Sequence, residues 1–163
     1  MKYFKYHEFD SPDAPGSGRN MDPGFLSRLD KAREYSGIPY TVNSGYRTKR
    51  YNAGLKNSVP DSAHVKGLAV DIGFKTLGQA HKILQGAIKA GFRRIGIGAG
   101  FIHLDSDRAK PWPAVWGYPT TNPKLLRQYE TVVEGGATLQ KAGSMGLALA
   151  ALLLYIVLTG KEK

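Results

Sequence analysis

The stretch SAHVKGLAVDIGF, Ser62–Phe74, places a carboxylate in the middle of a strand-like run of small and apolar residues. Read as a strand, it points Leu68, Val70 and Ile72 to one face and Ala69, Asp71 and Gly73 to the other. A lone carboxylate on a partly enclosed sheet face costs several kcal/mol unless it is paired or bound to a metal. The chain must therefore build a sheet with two unlike faces, one apolar and one where small side chains leave room beside Asp71. His64 lies seven residues earlier, and Gly67 between them lets the chain fold back into the strand. Further on, FIHLD repeats the pattern, with Phe101, His103 and Asp105 on one face and Ile102 and Leu104 toward the core. His103 can thus approach Asp71 across neighbouring strands.

Two segments predict helices. MDPGFLSRLDKAREYSG offers Asp22 as N-cap, Pro23 at the first helical position, Phe25, Leu29, Ala32 and Tyr35 at helical spacing, and Gly37 as the stop. TLGQAHKILQGAIKAG starts with Thr76 and Gln79 at capping-box spacing, runs through Ala80, Leu84, Ala87 and Ile88, and ends at Gly91. His81 falls on the polar side of this helix, and His7 reads as a surface residue. Strand-like runs at IPYTVNSGY, GLAVDIGF, RRIGIG and GFIHLDSD are separated by glycine-rich breaks. The expected fold class is α+β, a small antiparallel sheet with flanking helices.

The chain has 163 residues and a net charge of +10, which suits an anionic partner such as nucleic acid, an acidic membrane surface or a cell-wall polymer. With no cysteine, any metal would be held by histidine and carboxylate. The first residues lack the continuous apolar core of a secretory signal peptide. Residues 142–160 carry no charge between Lys141 and the terminal KEK; as a helix they would span about 28 Å, close to the roughly 30 Å hydrocarbon thickness of a bilayer. The expectation is one main folded domain over 1–119, a polar tether containing a short helix over 120–141, a C-terminal apolar transmembrane helix over 142–160 that anchors the protein in a membrane, and a charged tail over 161–163. A buried core helix or a helix packed on a partner is the alternative for 142–160.

Two histidines and one aspartate match a zinc arrangement in which three protein ligands leave a fourth position open, a centre suited to activating water and polarising a carbonyl. The residues alone leave open that His64 caps a loop, that Asp71 pairs with a nearby Lys or Arg, and that His103 is an ordinary core histidine.

SAHVKGLAVD resembles the S-x-H-x-x-G-x-A-x-D signature of the zinc D-Ala-D-Ala carboxypeptidases and the related phage peptidoglycan L,D-endopeptidases, metallopeptidases that share a fold with hedgehog signalling domains. Upstream, NSGYR is similar to that family's S-G-[YF]-R, and downstream GFIHLDSD followed by WG is similar to its F-[IV]-H-[LV]-D element. The resemblance runs over about residues 5 to 118. It implies Zn2+ held by His64, Asp71 and His103, a substrate-orienting or oxyanion-stabilising Arg47, and a substrate-contacting or loop-capping Ser62. It also implies hydrolysis of an amide in peptidoglycan stem peptides by a carboxypeptidase or endopeptidase; with the short length, one catalytic domain and no signal-peptide pattern, the expectation is a phage endolysin or a component of a virion that contains a membrane.

Many relatives carry an acid three residues before the last ligand as general base, and here that position is Gly100. Asp105 is then either the base or a partner that holds a ligand. Trp112, Trp116 and Tyr118 either line a substrate groove or close the core, and RIGIGAG reads as a strand passing close to the site. A catalytically silent zinc domain that binds cell wall or belongs to a virion is the rival reading. Nucleic-acid binding is not expected, since it rests on charge alone.

Overall fold

Both ends of the first helix are built as the residues demand. In the computed structural model, which describes residues 1–127, 129 and 130, helix α1 spans Pro23–Ser36 and the Asp22 side chain accepts from Phe25 N at its start. Gly37 ends it at φ 66, a left-handed conformation that glycine adopts without a Cβ penalty. A short helix α2 covers Lys49–Ala53, capped by Thr48. Helix α3 covers Leu77–Lys89 and carries the complete Thr76–Gln79 capping box. Two 3₁₀ turns, Tyr6–Phe9 and Ser17–Asn20, wrap the N-terminal segment against this frame.

Helices α1 and α3 pack closely because Gly86 has no side chain: a Cβ there would sit 2.8 Å from Ser36 Cβ and collide with the Ala32 carbonyl. Backbone cannot swing aside as a flexible side chain does. Gly86→Ala is therefore expected to destabilise the protein by about 1–3 kcal/mol. At exposed Gly78, whose Cβ would meet nothing closer than 3.9 Å, the same substitution should stabilise by about 0.5–1 kcal/mol through helix propensity. Urea midpoints of the two variants check the opposite signs.

Five strands form one sheet: β1 Thr41–Ser44, β2 Ala69–Gly73, β3 Arg94–Ile97, β4 Phe101–Asp105 and β5 Ala114–Gly117, in the order β1-β2-β4-β3-β5. The first four pair antiparallel, but β5 runs parallel to β3, so the sheet is mixed where an antiparallel one was expected. The AVWG strand escaped sequence reading because it is four residues long and follows Pro111 and Pro113, and its partner is supplied by tertiary structure.

Val70, Ile72, Ile95, Ile97, Ile102 and Leu104 are fully buried and join Phe25, Leu29, Ile83, Leu84 and Phe92 in one core. Tyr35, expected on the buried stripe of α1, is exposed instead, with Lys89 Nζ 4.6 Å over its ring.

The polar segment after residue 120 begins packed on this core. Residues 123–127 are helical, and Leu125 and Tyr129 are buried among the core side chains. Tyr129 Oη lies 2.9 Å from Nδ1 of His81, so His81 is tied down on its helix and not left on the surface. The membrane-anchored localisation expected for the C-terminus is corrected: among the described residues no helix is long and apolar enough to cross a membrane. The apolar run 142–160 and its charged tail lie outside the described residues.

Candidate metal centre

The sheet's register draws the site. Ser44 is opposite Asp71, Asp71 opposite His103, His103 opposite Gly96, and Gly96 opposite Trp116, one row across all five strands. An irregularity between Val42 and Ser44 shifts β1 so that Ser44, and not Asn43, meets Asp71. Two residues along each strand a second row holds Ala69, Asp105 and Arg94. Because side chains alternate, both rows lie on the face away from the core.

His64 is brought over this face by the turn that precedes β2. Gly67 sits there at φ 70, and a Cβ on it would strike the Asn20 carbonyl, while Asp22 N donates to Gly67 O at 3.0 Å. His64 Nδ1 lies 2.7 Å from the Gly45 carbonyl. A carbonyl only accepts, so Nδ1 carries the hydrogen and Nε2 presents a lone pair. That Nε2 faces His103 Nδ1 at 3.2 Å and Asp71 Oδ1 at 3.4 Å, and His103 Nδ1 is 2.8 Å from the same Oδ1. One ligand atom from each of the three residues thus falls within 4.8 Å of the others, and all three residues are buried. Two nitrogens and one oxygen converging this way are a donor set that can hold a metal ion, zinc included.

The supporting side chains orient these donors. Arg47 Nη2 donates to Asp71 Oδ2 at 2.7 Å and its Nε to Ser44 Oγ at 2.9 Å. Asp71 is thereby turned so that Oδ1 meets the histidines. His103 Nε2 lies 3.3 Å from Asp105 Oδ2, and Asp105 Oδ1 accepts from Arg94 Nε at 2.8 Å and from Asp107 N at 3.0 Å. Arg94 also donates to the Pro111 carbonyl and lies 5.2 Å over the Trp116 ring. Trp116 itself packs 5.5 Å from His103, and Gly96 makes room for its indole, since a Cβ there would come within 2.8 Å.

These contacts set the charges. For Asp71, burial would raise the carboxyl, but bonds to His103 and His64 outweigh it and hold it far below the usual range. Burial lowers His64 despite Asp71. Burial also works against a charged His103, yet Asp105 and Asp71 flank its two ring nitrogens and push it up to about 9.

A cleft of about 470 Å³ opens over the centre. Arg47, Ser62, His64, Asp71, His103 and Asp105, the residues singled out from the sequence, all line it, together with Trp116 and Tyr118. Tyr118 packs on Phe101 with 4.9 Å between ring centroids. Trp112 is placed differently, stacked under the Arg108 guanidinium at 3.7 Å. Arg94 was missed, though a signal existed: it is the one charge in the otherwise apolar RIGI strand, in phase with Gly96.

A buried His–Asp–His group lining a cleft, carried on an α+β domain, is a donor set that could hold a metal ion. The sequence profile of the Peptidase M15 family matches residues 2–105, and the chain belongs to that family of peptidases. No curated protein matches the chain. Among solved structures it is similar to the L-Ala D-Glu endopeptidase ChiX of Serratia marcescens, at 21% identity and a TM-score of 0.42, covering 59% of this chain and 86% of that one.

Proposed function

We propose that this protein is a zinc-dependent peptidase that hydrolyses an amide bond in the peptide stems of peptidoglycan. Membership of the Peptidase M15 family supports the reaction class. The observation that carries the metal is the convergence of His64 Nε2, Asp71 Oδ1 and His103 Nδ1 beneath an open cleft. Zinc held by these atoms supplies a Lewis acid for the scissile carbonyl and lowers the pKa of water.

The chain's own residues do the rest. Arg47 keeps Asp71 in place and, through guanidinium N–H groups beyond those given to Ser44 and Asp71, donates to the substrate carbonyl oxygen as negative charge develops on it. Asp105 fixes the ring of His103 and so leaves Nδ1 turned toward Asp71. With both of its oxygens engaged and the residue 2% exposed, Asp105 serves as that orienting partner and not as proton acceptor. Ser62 lines the cleft, where its hydroxyl meets substrate. Trp116 and Tyr118 form an aromatic wall for the peptide.

Gly100, standing where many relatives carry an acid, favours the second reading, a zinc domain that binds wall without cutting it. Incubation of purified peptidoglycan with zinc-loaded protein separates the two. Loss of wall turbidity that stops with chelator and returns with zinc is expected; unchanged turbidity across several wall chemistries would leave only the binding reading.

Metal uptake should also release a proton. A His103 pushed up to about 9 is charged at neutral pH, and zinc must displace the Nδ1 hydrogen to bind there. The protonated form dominates below that value, so zinc affinity is expected to rise by about tenfold per pH unit toward it. Calorimetry in buffers of different ionisation enthalpy counts the proton.

A further inference from the structure

The wall of the cleft includes, beside the metal centre, a lobe of the protein formed by α2 and residues 54–62, which contributes Leu55, Lys56, Ser58 and Val59 to the lining. Asn52 of α2 also lines it, 2% exposed. Its Nδ2 donates to the Val59 carbonyl at 2.9 Å, and Ser58 Oγ donates to the Asn52 carbonyl at 2.5 Å, which ties α2 to the loop and fixes the amide's orientation. Asn52 Oδ1 is left with no partner, the one such buried side-chain polar atom among the described residues. An unpaired buried acceptor costs about 1–3 kcal/mol, so a group of this kind takes a donor from water or from a ligand.

The charges of the same lobe have one sign. Lys56 and Lys110 line it, while the two acids of the cleft, Asp71 and Asp105, are committed to Arg47, Arg94 and the histidines. Lys110 Nζ does reach Asp61 at 3.0 Å, but the Asp61 side chain is 67% exposed and lies outside the lining. An ion pair so open to water holds its lysine weakly.

We propose that this lobe is a carboxylate subsite, which selects peptides bearing an acidic group: Lys56 and Lys110 hold the carboxylate and Asn52 Oδ1 receives a peptide N–H. The proposal rests on the peptidase reading for the identity of the peptide, since the subsite adjoins the centre where that peptide would be cut. The net charge of +10 adds steering toward such a ligand.

Calorimetric titration of the full-length chain tests it, using a stem tripeptide with free carboxylates and the same tripeptide with those carboxylates amidated. The recovered peptide is weighed by mass spectrometry to register cleavage. Charge-assisted hydrogen bonds predict that the free acid binds about tenfold to a hundredfold tighter than the amide. In the Lys56→Met/Lys110→Met variant that preference should fall to within about twofold, whereas Lys31→Met/Lys49→Met, an equal loss of charge at two exposed residues outside the cleft lining, should keep it. Asn52→Leu should weaken both peptides alike, and the lysine variants decide the matter should that variant not fold. Equal affinity for the two peptides, or a preference that survives loss of both lysines, overturns the subsite even where both peptides are cleaved. Preference without cleavage of the tripeptide, together with unchanged peptidoglycan across several wall chemistries, leaves the subsite standing and overturns the peptidase reading.

Discussion

His64→Ala is expected to abolish zinc binding at the centre and to lower stem-peptide hydrolysis by about a thousandfold or more, since metal polarisation supplies several kcal/mol at about 1.4 kcal/mol per factor of ten. The residue is held by two constraints at once, the Gly45 carbonyl on Nδ1 and the left-handed turn at Gly67, so that Nε2 alone faces Asp71 and His103. Alanine removes the nitrogen without disturbing either strand of the site. The fold should therefore survive, with a thermal midpoint near that of the zinc-free parent. Equilibrium dialysis against zinc, read beside the melting curve, checks the loss. Retention of stoichiometric zinc by His64→Ala would place the metal elsewhere.

The second large effect belongs to a residue that never meets the metal. Arg94 is 6% exposed and joins Asp105, itself 2% exposed, to the Pro111 carbonyl. Arg94→Ala leaves a buried carboxylate without its guanidinium, a change that costs about 3–5 kcal/mol. It also frees Asp105 to move off His103 Nε2, and loss of such an orienting partner typically weakens metal affinity by about 10–100-fold. The double variant Arg94→Ala/Asp105→Asn should regain much of the stability, because no charge is left stranded, but little of the zinc affinity. Urea unfolding and zinc competition measured on both variants test this split. Equal recovery of both quantities would reduce Arg94 to a packing role.

Much of this site was legible in the sequence because strand alternation is a rule of period two. It separated Asp71 from Val70 and Ile72, and His103 and Asp105 from Ile102 and Leu104, and the register later set these residues opposite one another. The capped helices were equally plain, since Asp22, Pro23 and Gly37, and Thr76 with Gln79, act within one turn of the chain. What local signals could not carry was pairing. Strand β5 exists because β3 offers it a parallel edge, and Asp105 finds Arg94 only through the register between β3 and β4. The bond from Arg47 to Asp71 joins residues 24 apart and adds a contact within the site to the substrate role expected of Arg47. Tyr129 looked like part of a polar tether and instead reaches the core, where the ring of His81 provides its polar partner. Asn52, Lys56 and Lys110 carried no motif at all; only the cleft gathers them.

Amide hydrolysis at the proposed His64–Asp71–His103 centre is measured most directly by mass spectrometry of peptidoglycan stem peptides after incubation with zinc-loaded protein, alongside His64→Ala treated identically. One new amino terminus and one new carboxyl terminus from the same stem bond, formed by the parent and absent with His64→Ala, are predicted. Intact stems with the zinc-loaded parent, or the same termini at the same rate with His64→Ala, would contradict it.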